Sequence, residues 1–324
     1  MIINKIIPAG VNWTRSNKTN KNWYALCVTS TGRVIAGSNT GIWYSDNNGV
    51  NWTQSNKVNG YWYSLCVIST GRIIAGSYNN GIWYSDDNGV NWAQSNKTDD
   101  SWNALCVTST GRIIAGSSNT GILYSDNNGV NWTQSNATSS TVWYALCVTS
   151  TGRIVAGSTS NNSVAGIWYS DDNGVNWTQS STTNKYWNSL CITPTGRIIA
   201  GGGSGYGIWY SDDNGVNWTQ SNKTDSTWYA LCVIYTGRVI AGGNAGIWYS
   251  DDNGVNWVQS NKADESWKAL CVTYTGKIIV GNGNNYGIWY SDSKIINKIS
   301  KCLDEDGAQE LVAQAKLYVD SLVQ

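Results

Sequence analysis

The hexapeptide Trp23-Tyr24-Ala25-Leu26-Cys27-Val28 recurs along the chain with small changes, its tryptophan returning at positions 62, 102, 143, 187, 228 and 267. The intervals are 39, 40, 41, 44, 41 and 39 residues. A unit this short cannot bury an apolar face alone, so copies must stack on one another to make a core. The 324 residues are therefore expected to form one repeated architecture rather than two unrelated domains.

Each copy divides into four short runs rich in β-branched and aromatic residues, separated by turn chemistry. In the first copy these are strand a at 23–30, strand b at 34–38, strand c at 41–45 and strand d at 50–55. Thr31-Gly32-Arg33 separates a from b, and Asp46-Asn47-Asn48-Gly49 separates c from d. The Asn-Gly pair predicts a tight hairpin, because both residues tolerate positive φ. Repeats begin near 22, 61, 101, 142, 186, 227 and 266. The last stops after strand c, at Trp289-Tyr290-Ser291-Asp292. Its missing strand lies at the other end of the chain, where Gly10-Val11-Asn12-Trp13-Thr14 matches Gly49-Val50-Asn51-Trp52-Thr53.

The expectation is an all-β fold, a seven-bladed β-propeller of four-stranded antiparallel blades over residues 9–292. Residues 10–17 complete the last blade and so remove an open sheet edge. A linker and a short amphipathic α-helix are expected at 293–324.

Composition narrows the function. There are 21 basic and 21 acidic residues, so no field for nucleic acid or an anionic membrane is present. No apolar run reaches the length of a membrane-spanning helix, and the apolar stretch in 1–8 is too short for a secretory signal. Seven of the 8 cysteines (Cys27, Cys66, Cys106, Cys147, Cys191, Cys232 and Cys271) hold one position in successive repeats. Equivalent positions around a ring lie too far apart for disulfides, so these are expected to be small buried hydrophobes. Cys302 stands outside the pattern. No cofactor motif is found, and Asp-Asp-Asn-Gly lacks the spaced ligands and terminal Glu of an EF-hand loop.

The turn Ser85-Asp86-Asp87-Asn88-Gly89-Val90-Asn91-Trp92 resembles the Asp-box of sialidase-type propellers, Ser-x-Asp-x-Gly-x-Thr-Trp. Six copies are whole and a seventh is split across the termini. Asn47 and Asn127 stand at the acidic position in two of them, and Asn replaces the usual Thr throughout. The resemblance implies a structural role, in which acid and hydroxyl hydrogen-bond the turn and the Trp packs into the blade. It also implies that a sialidase would carry three converging arginines, a Tyr–Glu pair and an acid/base Asp. Here the turn arginines (Arg33, Arg72, Arg112, Arg153, Arg197 and Arg238) fall one per blade, with Lys277 in the seventh. The 0 histidines and the three glutamates Glu265, Glu305 and Glu310 supply no distinctive pair of carboxylates for glycoside cleavage. No catalytic residue is assigned.

In an up-and-down blade the a–b and c–d turns share one face, and the b–c and d–a loops share the other. The first set barely changes between copies, whereas the second varies in length and chemistry, as at 39–40, 78–80, 159–165 and 203–206. The variable face is therefore the expected binding face. Candidate ligand-binding residues are the first two of each strand a: Trp23 and Tyr24, Trp62 and Tyr63, Trp102 and Asn103, Trp143 and Tyr144, Trp187 and Asn188, Trp228 and Tyr229, Trp267 and Lys268. Aromatic faces beside Asn and Gly suit sugars. A tryptophan repeated in every blade serves inter-blade packing more often than binding, so the ring carries both readings.

The run Leu303-Asp304-x-x-Gly307-x-x-x-Leu311-Val312-x-x-x-Lys316-x-Tyr318-Val319-Asp320-Ser321 resembles segments of phage tail and baseplate proteins. Val312, Ala315, Val319 and Leu322 form a narrow apolar stripe suited to a partner helix. The leading expectation is a non-enzymatic, multivalent, lectin-like protein binding surface glycans or a cell-surface receptor, on a phage tail or a bacterial surface. Seven weak sites would gain avidity together. The alternative is a structural or protein-interaction disc that docks or self-associates through its C-terminal helix. A sialidase-like glycosidase is the third reading.

Overall fold

A computed structural model of the protein describes residues 5–7, 10–18, 20–137, 141–159, 165–183, 185–262, 265–291 and 294–296. The expected C-terminal helix and Cys302 lie outside these residues. The chain divides into two compact units, Ala9–Asp292 and the paired chain ends, Met1–Pro8 with Ser293–Gln324. In the second unit the strands Lys5–Ile7 and Lys294–Ile296 pair antiparallel, with Ile6 opposite Ile295. The sequence reading assigned no strand to either segment.

The first unit is a propeller of seven four-stranded antiparallel blades. Blade 1 comprises strand a at Trp23–Val28, b at Val34–Ser38, c at Gly41–Ser45 and d at Thr53–Val58. In blade 7, strands Trp267–Val272, Ile278–Asn282 and Ile288–Ser291 are completed by the N-terminal strand Thr14–Arg15. The register places Thr14 opposite Tyr290 and Arg15 opposite Trp289. Strand d begins later than the sequence predicts because the residues expected to open it still belong to the turn. The Asn51 N–H donates to the Asn47 side-chain oxygen at 2.8 Å, and only from Thr53 does the backbone join the sheet.

The core lies between blades, with one cluster at each of the seven junctions. Strand b is buried on both faces, and its alternating side chains serve opposite neighbours. Val34 and Ala36 pack with Trp23 against Cys271 and Ile279 of blade 7, whereas Ile35 packs with Trp62 of blade 2. The seven strand-a tryptophans are 0–1 % exposed. Each removes about 4–6 kcal/mol worth of apolar surface from water, before conformational entropy is counted.

One glycine per blade sets how closely the blades approach. A Cβ on Gly37 would lie 2.7 Å from the Trp62 carbonyl oxygen and 2.8 Å from the Trp62 Cβ, in the next blade. The same relation repeats around the ring, ending at Gly281, where a Cβ would meet the Cβ of Trp23 at 2.6 Å.

The invariant turns lock the opposite face. In blade 2 the Gly89 N–H donates to Ser85 Oγ (2.9 Å), the Asn91 N–H to Asp87 Oδ1 (2.8 Å) and Trp92 Nε1 to the Gly89 carbonyl (3.1 Å). Asn47 and Asn127 accept the same backbone bond through their amide oxygens, so the turn requires an acceptor and not a charge. The arginines form a second lock. Arg33 donates twice to the Asp46 carboxylate (2.6 and 3.0 Å) and once to the Asn88 carbonyl of blade 2 (3.1 Å). Its guanidinium also lies 4.2 Å from the Tyr44 ring centre. Arg72, Arg112, Arg153 and Arg197 repeat the link to the following blade. The ring of arginines therefore ties blade to blade.

Candidate functional site

Every strand a carries a β-bulge at the same place. In blade 1, Trp23 pairs with Ser38 and Ala25 with Gly37, which leaves Tyr24 as the extra residue. The bulged residues of the other blades are Tyr63, Asn103, Tyr144, Asn188, Tyr229 and Lys268. A bulge inserts one residue into the ladder and re-aims its side chain. Here it separates two neighbours: the tryptophan enters the inter-blade core, and the next residue points to the axis.

All seven bulged residues line one cavity of about 760 Å³ at the mouth of the central channel. The remaining wall comes from the variable face: Tyr186 and Thr227 from the d–a loops, Gly203 and Ser204 from the b–c loop of blade 5, and Val142 and Thr159, which pair at the ends of strands a and b of blade 4. Below it, the channel narrows between the next residues of each strand a, such as Ala25 and Leu26. A volume of this size falls within the range of small-molecule sites, ~300–1,000 Å³.

The structure thus divides the fourteen candidates taken from the sequence. The seven tryptophans present no surface to a ligand, and the packing reading describes where they sit. Tyr24, Tyr63, Asn103, Tyr144, Asn188, Tyr229 and Lys268 converge. They line one shared cavity in place of seven separate sites. Tyr186, Thr227 and Val142 were missed. Their signal was present, since the residue before each strand-a tryptophan also varies among copies.

The wall alternates flat aromatic rings with amides. Tyr24 and Tyr63 meet edge to face at 5.0 Å, and Tyr186 meets Tyr206 the same way at 5.8 Å. Asn103 donates to Ser118 Oγ at 3.0 Å, which fixes its amide plane. Burial, reinforced by the neighbouring Tyr24, pushes the Tyr63 hydroxyl up to about 12, so it is a neutral donor at physiological pH. Lys268 brings the one charge on the described wall. Its ammonium lies 5.5 Å from the Tyr24 ring centre and 5.4 Å from that of Tyr229, and burial lowers its pKa.

No described carboxylate faces the cavity. The described loop acids Asp99, Asp100, Asp225 and Glu265 are held elsewhere. Asp100 accepts from the Thr120 hydroxyl (2.6 Å) and the Asn119 amide (2.8 Å), which ties the d–a loop before blade 3 to its b–c loop. Asp99 pairs with Lys97 and Asp225 with Lys223. Glu265 accepts from Asn282.

No protein-family model matches the chain, and no curated protein matches it. Solved structures do. The extracellular domain of BT4673 from B. thetaiotaomicron superposes with a TM-score of 0.70 at 16 % identity over 87 % of this chain. The match spans 40 % of that chain's length. Virginiamycin B lyase from Staphylococcus aureus superposes with a TM-score of 0.70 at 12 % identity, covering 88 % of this chain and 99 % of the lyase. YCF48 bound to D1 peptide gives a TM-score of 0.68 at 17 % identity, covering 89 % and 98 %. At these identities the likeness is one of fold. The same ring serves an enzyme and a peptide-binding protein, so function has to be read from this cavity.

Proposed function

We propose that the protein is a non-enzymatic recognition propeller that binds a glycan in its central cavity. The observation that carries this is the convergence of the seven bulged residues, tyrosine in four blades and asparagine in two, on one opening. Tyrosine faces offer C–H stacking to a sugar ring, and fixed amides and hydroxyls offer partners to its hydroxyl groups. A glycosidase would need two carboxylates facing its bond, and the described wall provides a lysine instead. The Asp-box likeness bears on the scaffold, because those turns lie on the other face. The C-terminal resemblance to phage tail and baseplate proteins extends the proposal to receptor binding on a phage tail or a bacterial surface.

The test is a glycan array probed at high protein density with the native chain and with the double variant Asn103→Ala/Asn188→Ala. Hits that disappear in the variant are expected. An array without signal, or hits indifferent to the variant, would reject the reading.

One observation favours a protein-interaction role as a second reading. At the a–b turn, Tyr235 and Tyr274 are 65 % and 62 % exposed, whereas the other five blades carry Ser30, Ser69, Ser109, Ser150 and Pro194 there. If this face docks on a partner or a second copy, Tyr235→Ser/Tyr274→Ser or deletion of 293–324 lowers the assembled mass in solution and leaves sugar binding intact.

A further inference from the structure

Six lysines of the propeller follow a rule that Lys268 breaks. Lys18, Lys57, Lys185, Lys223 and Lys262 each lie over a strand-c tryptophan of the following blade, at 3.1–3.9 Å from the ring centre of Trp43, Trp83, Trp209, Trp248 and Trp289. Where Leu123 replaces that tryptophan, the corresponding Lys97 pairs with Asp99. These six lysines outside the cavity thus cap an aromatic plate or meet an acid. Lys268 differs: it occupies the bulge position that is Tyr or Asn in every other blade, its ammonium comes no nearer than 5.4 Å to a ring centre, and no described carboxylate lies within ion-pair distance of it.

Three further features fix what this lysine faces. Its flanking neighbours in the ring, Tyr24 and Tyr229, meet it at 5.5 and 5.4 Å, each within reach of a cation–π contact but well beyond the close stacking seen outside the cavity. They flank the ammonium, which has no hydrogen-bond partner among the described residues, so its three donors are available to the cavity it lines. The blades farther round the ring bring Asn103, Tyr144 and Asn188, which are neutral hydrogen-bonding groups. The described wall is therefore mainly polar and aromatic, with positive charge at one point. A half-buried ammonium without a counter-charge is costly, and the cost is relieved by a ligand that brings an anion to it.

We propose that the cavity selects an acidic glycan, seated with its carboxylate or sulfate group on Lys268 and its ring against Tyr24 or Tyr229. This rests on the glycan reading of the cavity and deepens it by naming the ligand class. A sevenfold ring with one cation is also a directional site. The sugar chain enters with its charged unit toward blade 7 and its neutral units toward the amides of blades 3 and 5.

The test is calorimetric titration of the full chain with trigalacturonate and with its methyl ester, which keeps the skeleton and removes the charge. Galactose sulfate against galactose forms the second arm and separates a sulfate ligand from a carboxylate one. The native protein, Lys268→Gln and Lys268→Arg are compared, with near-ultraviolet circular dichroism as the check that each variant is folded. In at least one arm, the acid is expected to bind at least tenfold tighter than its neutral partner. In that arm Lys268→Gln removes the difference, Lys268→Arg retains it, and added salt weakens it. Equal binding of acidic and neutral sugars by native protein and Lys268→Gln would overturn the anion assignment and leave the glycan reading standing. Selectivity for the acid that survives Lys268→Gln would overturn the role of Lys268. Absence of binding to all four sugars would overturn both.

Discussion

The ammonium of Lys268 lies 5.5 Å from the ring centre of Tyr24, although one residue belongs to the last blade and the other to the first. The contact exists only because the N-terminal strand Thr14–Arg15 closes blade 7 and brings the ends of the ring together. It places the cavity's one described charge beside the junction that holds the propeller shut.

Stability and function should oppose each other at this residue. Burial lowers the Lys268 pKa below that of a free lysine, ~10.4. Between the two values the unfolded chain binds more protons than the folded one, so stability rises with pH across that window. Below the window the desolvation cost is present in full. Lys268→Met should therefore stabilise the unliganded protein at pH 7 by up to about 1 kcal/mol, a figure discounted for the solvent that still reaches the ammonium. The gain should shrink as pH rises through the window. Urea unfolding at neutral and alkaline pH measures it, and a destabilised variant at pH 7 would contradict the account.

Blade spacing should respond to a single methyl group. A Cβ on Gly116 would stand 2.8 Å from the Trp143 Cβ and 3.3 Å from its carbonyl oxygen. Blades 3 and 4 would have to part to admit it, and overpacking of this kind costs about 1–3 kcal/mol. Chemical denaturation of Gly116→Ala should show a loss in that range. A neutral result would mean that the junction is looser than the structure shows.

The seven repeat thiols should be inert. Contrary to the expectation of full burial, only Cys271 is buried and the other six are partly buried in the blade junctions. Desolvation there nonetheless pushes Cys66, Cys147 and Cys232 up to about 12 and raises Cys27, Cys106, Cys191 and Cys271 as well. At pH 8 a thiol of that kind is thiolate in about one molecule in ten thousand, and the thiolate is the reactive form. In a Cys302→Ser chain, an aromatic disulfide reagent should modify none of the seven natively and all seven in denaturant. Fast native labelling of several thiols would show that the blade junctions open.

Much of the ring was legible as period and pattern. The intervals between tryptophans set the blade count, and the missing strand d after Asp292 predicted closure by residues near Trp13, which the pairing of Thr14 with Tyr290 shows. Local chemistry carried these features, since Asn-Gly turns and period-two burial are properties of a few neighbouring residues. The start of strand d was misplaced because Val50, Asn51 and Trp52 read as a strand but remain in the turn held by Asn47. The turn arginines were counted one per blade, yet their role appears only with the next blade in place, where Arg33 finds the carbonyl of Asn88.

The candidate site was half visible for a related reason. Trp23 and Tyr24 are adjacent, and the sequence offered no ground for sending them to different environments beyond one unused sign: the tryptophan is invariant among copies, whereas its neighbour varies as Tyr, Asn or Lys. Sequence alone determined the strands, the turns, the number of blades and the strand that seals them, because each follows from residue-level conformational preference repeated along the chain. Tertiary structure alone decided that the bulge turns seven scattered side chains onto one axis, with Lys268 as the charge among them. That convergence depends on closing the ring, and residues 244 apart such as Tyr24 and Lys268 become neighbours only once it is closed.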